Sequence, residues 1–583
     1  MHRHCLIGVT AGLFAAVALT GTPAMATPCT NLLSLQLEHT TITLATDITT
    51  GVFLDPDTNE ITPLPAFCRV RAALTPTADS LINIEVFMPE TTWNGRFLGT
   101  GSGGYGGYID YAALTYRLNQ GYAVANTGLG TGASGCVPLY CGSAGNMGNA
   151  LAIAGGDPPY PTLGLFGHPE RIKDFGYRAM HVMTLRGKEI VNAFYQQSAK
   201  KSYFIGCSTG GQNALMEAQR FPNDYDGVVA GAPAYNKSIS IPARPYGWQN
   251  THATPGRFIQ TGEMSLINKA VLKQCVGQDG GAATDRFLTD PRDCHFDPKV
   301  LQCTGGNVPP ACLTAEQVTT MQIYYAGVID PVTGERIFPG FALGTETEDL
   351  AQVGLAYSER LPEPIYDGAL YWVFGPSFGQ PGSAINYTNF DIHRDLDAVN
   401  DMLAEPLNAT STDLSEFRQH GGKLLMYHGW ADTQIPPQNT INYFTALVEH
   451  DRRHFEDAHH DDIENVRFDE RGGRSALERT ESYARLFMAP GVYHCGSGPG
   501  PNSFRGALAA LVAWVENGTA PETILATKYV NDTPPNVQMT RPLCLFPKVA
   551  KYNGSGDTND AANFTCVTDE RDINRTPVPR SGP

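Results

Sequence analysis

Short apolar runs alternate with segments of helical periodicity in the first part of the chain. The runs INIEVFMP, RFLGT and GYAVAN, which begin at Ile82, Arg96 and Gly121, are typical of strands, and glycines follow the last two closely. The segment RAMHVMTLRGKEIVNAFY carries apolar residues at the period of an amphipathic helix. This alternation of strands and helices predicts a parallel sheet of the α/β class.

The alternation stops at about Asn236 and resumes after Leu414. The stretch between them is loop-rich, with many Gly, Pro and Asn residues and four cysteines. Two further strand-like runs, KLLMYHG and YARLFMAP, follow it, each with a helical segment behind it. We therefore predict one α/β core in two parts, residues 27–235 and 415–583, with a lid domain inserted at residues 236–414. The polar tail after about Pro547 is predicted to be loosely ordered.

The N-terminal segment has the features of a targeting sequence. A weakly basic MHRH precedes the apolar run CLIGVTAGLFAAVALTG, and the small residues of AMA end at Ala26. This order predicts a signal peptide over residues 1–26, and hence a secreted or periplasmic protein. A retained membrane anchor is the alternative, which the short, Ala- and Gly-rich run disfavours.

Composition restricts the partners of the chain. Of its 583 residues, 42% are hydrophobic and 17% are charged, which is typical of a globular protein with a well-buried core. The formal net charge is −17 and there is no basic run, so nucleic acid and anionic membranes are disfavoured as partners. Twelve of the thirteen cysteines follow Ala26, an even number that predicts disulfides in an exported chain. Neither CxxC nor HExxH is present, so a zinc site is poorly supported.

The sequence GCSTG, residues 206–210, matches the pattern G-x-S-x-G. It lies between the strand-like SYFI and the helical QNALMEAQRF, which is the setting of a nucleophile elbow. The glycines permit a tight turn, and the turn lifts the serine above the edge of the sheet. A glycine-rich turn without catalytic function is the alternative. The strand–turn–helix setting favours Ser208 as a nucleophile.

A serine hydroxyl needs a base to take its proton and a third group to orient that base. In α/β hydrolases the acid and then the histidine follow the serine, each at the end of a later strand. Asp432 follows the strand-like KLLMYHG, and His494 follows YARLFMAP. His428 competes as the base, but it precedes the acid, so we interpret it as a hydrogen-bonded structural histidine.

Two cysteines adjoin these residues. If Ser208 and His494 meet, then Cys207 and Cys495 meet as well, and a disulfide there would limit movement of the base relative to the nucleophile. Two unrelated cysteines with other partners are the alternative.

An oxyanion hole requires two backbone donors. The N–H of Thr209 is one candidate, and Gly103 or Gly104 of the turn GTGSGGYGG supplies the other. A flexible turn or a weak phosphate cradle is the alternative for this stretch, but neither a P-loop nor a Rossmann spacing follows it.

The stretches GCSTGG, HGWAD and YHC together resemble the tannase and feruloyl esterase family of secreted α/β hydrolases. The resemblance extends over nearly the whole mature chain, including the lid. It implies an α/β-hydrolase fold and a triad of Ser208, Asp432 and His494, with a disulfide between Cys207 and Cys495. It also implies local disulfides and leaves one extra pair: Cys29–Cys68, Cys275–Cys294, Cys303–Cys312 and Cys544–Cys566, with Cys136–Cys141 left over.

Family members often hold a structural calcium ion in the lid, and the corresponding loop here is CVGQDGGAATDRFLTDPRDC. The resemblance implies oxygen ligands from Asp279, Gly281, Asp285 and Phe287, with Asp290 a weaker candidate. The chain departs from the family pattern, because Val276 replaces an aspartate and the loop is about two residues longer. A disulfide-closed turn without metal is the alternative.

The segment from Asp451 to Ser475 makes the Asp432–His494 spacing longer than in the family. Its side chains include candidates for a metal site, namely His454, His459, His460, Asp461 and Asp462. We predict a solvated loop near the mouth of the active site instead.

The predicted activity is hydrolysis of aromatic-acid esters, small or linked to a polysaccharide, without a redox or organic cofactor. Tyr371, Trp372 and Phe374 of the lid are candidates for binding a planar acyl group, or alternatively form lid core. Feruloyl esters rank first from family prevalence, then galloyl esters, then a terephthalate half-ester. A non-catalytic hydrolase-fold binding module is a different class of function, and a peptidase or lipase shares the chemistry.

Overall fold

The computed structural model describes residues 27–131, 165, 167–346, 370, 373–374, 385–386, 388–458 and 475–568. At its centre lies a nine-stranded sheet with the strand order β1-β4-β5-β7-β6-β8-β9-β12-β13. The first strands of this order pair antiparallel, and all neighbours from β7 to β13 pair parallel. The predicted α/β class and its parallel sheet are confirmed.

The strands span Thr40–Ile48, Val52–Leu54, Ile61–Pro63, Phe67–Leu74, Ile82–Pro89, Arg96–Thr100, Ala123–Thr127, Lys201–Cys207, Gly227–Gly231, Val328–Ile329, Arg336–Phe338, Lys423–Gly429, Ala484–Ala489, Thr523–Tyr529, Val537–Cys544, Lys548–Tyr552 and Phe564–Thr568, numbered β1 to β17 in that order. The described α-helices, α1 to α13 in chain order, span Tyr111–Leu118, Pro169–Lys173, Ala179–Tyr195, Thr209–Arg220, Lys237–Ser240, Ala243–His252, Thr261–Cys275, Ala315–Ala326, Ile392–Leu407, Ser415–Gln419, Pro437–Ala458, Ala476–Glu481 and Phe504–Asn517.

The central strands are buried because helices cover both faces of the sheet. Every residue of β7, β9 and β13 is buried, which explains why these strands read as continuous apolar runs rather than alternating ones. Strands β1 and β4, which the sequence analysis did not identify, extend the sheet as an antiparallel edge. In β4 buried residues alternate with half-buried ones, the pattern of a strand with one wetter face.

Between β9 and β12 the chain leaves the sheet, as the inserted lid predicts. The described part of this segment contains helices α5 to α10 and a two-stranded sheet of β10 and β11. It docks on the core through Gln212, whose amide donates to the carbonyls of Gly176 at 2.9 Å and Leu407 at 3.1 Å. The exact boundaries at residues 236 and 414 stay predictions.

Two expectations about irregular segments were wrong. The tail after Pro547 is ordered as far as Thr568, because β16 pairs with β17 and Cys566 bonds to Cys544. The predicted loop from Asp451 begins as helix, since α11 continues to Ala458. Asp451 itself is buried, and its carboxylate accepts hydrogen bonds from Thr480 and Tyr483. Residues 459–474 lie outside the described residues.

Within the described residues five disulfides form, and all five were predicted: Cys29–Cys68, Cys207–Cys495, Cys275–Cys294, Cys303–Cys312 and Cys544–Cys566. The sixth expected pair, Cys136–Cys141, lies outside the described residues, as does the predicted signal peptide. Over the part of the chain that the structure describes, no helix has the length and apolar character needed to cross a membrane.

Candidate active site

The three predicted triad residues lie beyond the carboxyl ends of three parallel strands. Ser208 follows β8, Asp432 follows β12 and His494 follows β13. These strands belong to one sheet, where β9 lies between β8 and β12. Because carboxyl ends of parallel strands meet at the same edge, segments far apart in sequence are brought to one place.

Ser208 has the backbone of a nucleophile elbow, with φ 63° and ψ −120° directly before α4. The turn leaves no room for side chains beside it. A Cβ at Gly206 would lie 2.2 Å from the carbonyl oxygen of Gly210, and one at Gly211 would lie 2.2 Å from that of Gly231. The predicted strand–turn–helix setting of the serine is therefore present, and Gly206 and Gly211 are sterically required.

Asp432 and His494 are in direct contact. Asp432 is fully buried, and its Oδ2 lies 2.7 Å from Nδ1 of His494. The other carboxylate oxygen, Oδ1, accepts the backbone N–H groups of Gln434 at 2.7 Å and Ile435 at 2.9 Å. The carboxylate is thus fixed by its own loop and orients the imidazole, which directs the remaining ring nitrogen of His494 away from the aspartate.

His428 also contacts the aspartate. It is fully buried, with Nδ1 at 2.7 Å from the Thr440 hydroxyl and Nε2 at 3.1 Å from Asp432 Oδ2 and 3.0 Å from the carbonyl of Ile435. Both ring nitrogens are therefore occupied, as expected of a structural histidine. Burial would raise the pKa of Asp432, but the charge of His494 and hydrogen bonds from His428 and His494 hold that pKa well below its usual range.

The disulfide between Cys207 and Cys495 joins the serine turn to the histidine loop. It connects the residue before Ser208 with the residue after His494, across 288 positions of sequence, at a Cα–Cα distance of 5.8 Å. The prediction of this bond from the two adjoining cysteines is confirmed, and the bond limits separation of the two loops.

A cavity of about 510 Å³ opens beside these residues. Ser208, Thr209 and His494 are in its wall, together with Gly103 and Gly104 of the glycine-rich turn. The sequence analysis missed several further wall residues, including Tyr105, Tyr108, Tyr116, Lys237 and Arg244. Tyr105 and Tyr108 lie between and after the glycines of GGYGGY, and this position beside the proposed oxyanion turn was a sequence signal for cavity residues.

The geometry distinguishes between the two glycines proposed for the oxyanion hole. The N–H of Gly103 donates to the Tyr108 hydroxyl at 3.2 Å, so it is already engaged. Gly104 has φ 57°, and a Cβ there would meet nothing within 4 Å, which leaves its backbone open to the cavity. The hydroxyl of Thr209 donates to the carbonyl of Gly104 at 2.5 Å and so connects both candidate donor residues. Gly104 is the better partner for the Thr209 N–H.

Of the lid aromatics proposed to bind substrate, only Phe374 is among the described residues. It packs edge-to-face on Phe390 at 6.3 Å, against the hydrophobic core, which agrees with the alternative that it is lid core. Tyr371 and Trp372 lie outside the described residues.

The loop proposed to bind calcium is held together by protein donors. The Asp279 carboxylate accepts the backbone N–H groups of Gly281 and Thr289, and Asp285 Oδ2 accepts that of Ala282. Asp285 Oδ1 lies 2.6 Å from the guanidinium of Arg541, with both side chains almost completely buried. Every oxygen of the two carboxylates is engaged, and a cation is already present. The residues therefore do not fit a calcium ion in this arrangement, and the roles predicted for the carbonyls of Gly281 and Phe287 stay untested.

We predict that Arg541→Met destabilises the protein by about 3 kcal/mol, because removing one partner of a buried ion pair leaves the other uncompensated. Thermal unfolding would measure the change, and the double variant Arg541→Met/Asp285→Asn should recover part of it. A chelator should leave the unfolding temperature of the wild type unchanged. A chelator-induced fall that calcium reverses would contradict this and favour the metal.

Among the described residues one further group has metal-ligand geometry, formed by His181, Glu217 and Asp224 with ligand atoms within 4.8 Å of one another. Burial and the neighbouring charge of Asp224 raise the pKa of Glu217 well above its usual value. His181 Nδ1 lies 2.7 Å from Asp224 Oδ2, so two of the three candidate ligands are already hydrogen-bonded to each other.

The fold and the site define an α/β hydrolase, and comparison with known proteins identifies it as a carboxylic ester hydrolase. The profile of the family described as tannase and feruloyl esterase matches residues 68–567. The chain therefore belongs to that family, as the motifs around Ser208, Asp432 and His494 indicated.

Relatives and a solved structure agree with this assignment. An uncharacterized esterase of Xanthomonas campestris pv. campestris is 34% identical over 97% of this chain and 96% of its own length. A probable feruloyl esterase B-1 of Aspergillus flavus is 30% identical over 86% of each chain. The crystal structure of feruloyl esterase B from Aspergillus oryzae superposes with a TM-score of 0.73 at 26% identity, covering 92% of this chain and 99% of that one.

Proposed function

We propose that this protein is a secreted serine esterase that hydrolyses esters of aromatic acids, with feruloyl esters as the first choice. The observation that carries the proposal is the 2.7 Å contact between Asp432 Oδ2 and His494 Nδ1 in a loop disulfide-bonded to the Ser208 turn. The cavity beside them gives an ester access to the serine.

In this mechanism Ser208 Oγ attacks the ester carbonyl while His494 Nε2 takes the hydroxyl proton. Asp432 keeps the Nδ1 proton of His494 in place and stabilises the imidazolium that forms. The N–H groups of Thr209 and Gly104 receive the negative charge that develops on the carbonyl oxygen. The imidazolium then protonates the leaving alcohol, and a water molecule activated by His494 releases the acid from the acyl-enzyme.

The proposed substrate class rests on the cavity wall and on the relatives. Tyr105, Tyr108 and Tyr116 supply aromatic surface on which a planar acyl group can pack. The similarity to a probable feruloyl esterase supports hydroxycinnamoyl esters, and the family description leaves galloyl esters as the second candidate.

One observation favours a third substrate. The guanidinium of Arg244 lies in the cavity wall, where its Nη2 donates to the carbonyl of Gln434 at 3.1 Å. A guanidinium also binds carboxylates well, so an ester that carries a free carboxylate, such as a terephthalate half-ester, has a charged partner there.

The proposed secretion rests on the N-terminal signal sequence and on the disulfides. Five disulfides in the described residues are typical of a protein that folds in an oxidising compartment. The fungal feruloyl esterase relatives are consistent with an extracellular location.

The test is side-by-side hydrolysis of methyl ferulate, methyl gallate and a terephthalate half-ester by the mature chain. If methyl ferulate has the largest kcat/KM, the result supports feruloyl esters as the substrate. If methyl gallate or the half-ester is preferred, the proposed substrate changes but the proposed serine mechanism stands. If none of the three is cleaved while Ser208 still reacts with a fluorophosphonate, the aromatic-acid assignment fails. If Ser208 does not react either, a non-catalytic binding module becomes the better interpretation.

A further inference from the structure

Lys237 is a buried lysine directly behind the proposed oxyanion hole. It is the first residue of α5, where the chain leaves the core for the lid, and only 6% of its surface is exposed. Its ammonium donates to the hydroxyl of Thr209 at 2.7 Å. Thr209 is the residue that follows the nucleophile, and both side chains contribute to the cavity wall.

The surroundings of Lys237 are unusual for a lysine. The ammonium lies 5.1 Å from the ring centre of Phe175 and 6.0 Å from that of Tyr105. Within the described part of the chain it forms no ion pair with a carboxylate, and the charged group that acts on it is Arg244. Burial, followed by repulsion from Arg244, lowers the pKa of Lys237 to about 7. Keeping an amine here costs stability, which suggests that the position serves another purpose.

The hydrogen bonds form a directed chain. In its charged form Lys237 has only donors, so the Thr209 hydroxyl oxygen accepts from it. The hydroxyl proton is then available for the carbonyl of Gly104, which lies 2.5 Å away. This series of hydrogen bonds joins Thr209 and Gly104, whose backbone N–H groups we assign to the oxyanion hole. Without the lysine, the Thr209 hydroxyl is free to rotate and to accept rather than donate.

We propose that Lys237 is a positioning residue for ester hydrolysis, which acts through the Thr209 hydroxyl to fix the Thr209 and Gly104 backbone donors of the oxyanion hole. This inference rests on the proposed function, because it requires a negative oxygen at that place. Donors that are already oriented need no rearrangement when the charge develops, and this is the main source of oxyanion stabilisation. In its charged form the lysine also places a positive charge behind these donors, in surroundings that water does not screen.

The decisive variant is Lys237→Met, which keeps the length and apolar contacts of the side chain and removes its donors. We expect kcat to fall about 10- to 100-fold with KM changed by less than about twofold, since the interaction matters mainly in the transition state. The unfolding temperature should stay the same or rise, because a buried amine without a carboxylate has been removed. A lysine that only supported the fold would give the opposite result, a lower unfolding temperature with kcat preserved.

Thr209 provides an independent test of the route. Thr209→Val removes the hydroxyl and should lower kcat to a similar extent, and Thr209→Ser, which keeps it, should restore most of the loss. If Lys237 acts through this hydroxyl, the double variant Lys237→Met/Thr209→Val is no worse than the more affected single variant. If the fold losses of kcat in the two single variants multiply in the double variant, Lys237 does not act through the Thr209 hydroxyl.

Lys188 is the matched control. It is a half-buried lysine whose pKa is also lowered, mainly by burial, but its ammonium donates to the backbone carbonyl of Asp224, away from the cavity wall. Lys188→Met should leave kcat within about twofold of the wild type, and an equal loss in both variants would overturn the inference. If the wild type cleaves an ester and Lys237→Met keeps its kcat, only this inference fails. If the wild type cleaves no ester, it is the proposed function that fails.

Discussion

Replacing Ser208 by alanine is expected to lower kcat by about 10⁵- to 10⁶-fold, because the acyl-enzyme can no longer form. A small residual rate would come from an oxyanion hole that still polarises the ester carbonyl. The substitution removes a single oxygen from a residue whose backbone lies at φ 63°, and alanine bears the same strain there as serine. The unfolding temperature should therefore stay unchanged, so that lost activity reports chemistry and not folding.

Ser202→Ala is the matched control for this prediction. Ser202 is buried and lies near the start of β8, the strand whose end precedes the nucleophile. It should retain wild-type kcat/KM and react normally with a fluorophosphonate, which Ser208→Ala should not do. Ester cleavage by Ser208→Ala above about a hundredth of the wild-type rate would mean that another group is the nucleophile.

The main elements of the site could be predicted because each carries a local signal. G-x-S-x-G, the aspartate loop and the histidine loop each follow an apolar strand, and the sheet brings such strand ends together. The disulfide between Cys207 and Cys495 followed from that meeting, although 288 positions separate the two cysteines. Family resemblance supplied the other pairs.

The residues that the sequence did not reveal depend on contacts with no local pattern. Lys237 lies in the stretch APAYNKSIS, where nothing indicates that its ammonium reaches Thr209 or that its surface is buried. Arg541 contacts Asp285 across 256 positions of sequence, so the loop itself carries no sign that one of its carboxylates has an arginine as partner. The spacing of residues within one loop cannot show that a residue far away in sequence compensates the charge of a carboxylate.

The choice between Gly103 and Gly104 shows the same limit at smaller scale. Both glycines fit the oxyanion turn by sequence, and the distinction comes from the Tyr108 hydroxyl that engages one N–H. The C-terminal hairpin was missed because its strands are only five residues long and lie in a polar stretch of sequence. Its apolar side chains, Ala550, Tyr552 and Phe564, pack with Ala282 and Cys544, and the disulfide between Cys544 and Cys566 joins β17 to β15.

Asp432→Asn is expected to lower kcat by about 10⁴-fold while KM changes little, because the amide imposes the wrong tautomer on His494. The carboxylate accepts on both oxygens, from two backbone N–H groups at Oδ1 and from two imidazoles at Oδ2. In either orientation an amide NH₂ would face donors. Pointed at His494, it forces Nδ1 to accept, which places the proton on Nε2, where the serine needs a base.

Asp451→Asn is the control that separates the loss of kcat in Asp432→Asn from a loss of fold stability. Asp451 is a buried carboxylate on α11 that accepts the hydroxyls of Thr480 at 2.6 Å and Tyr483 at 2.9 Å, and it takes no part in the proposed chemistry. That variant should lower the unfolding temperature but keep kcat/KM within about twofold.

The pKa of Asp432 is held below its usual range in the folded protein. The stability that ionised Asp432 contributes is therefore present above its unfolded pKa and is lost only as pH falls through its folded pKa. The activity loss in Asp432→Asn should therefore persist from pH 6 to pH 9. A loss confined to acidic pH would show that Asp432 supports only the fold.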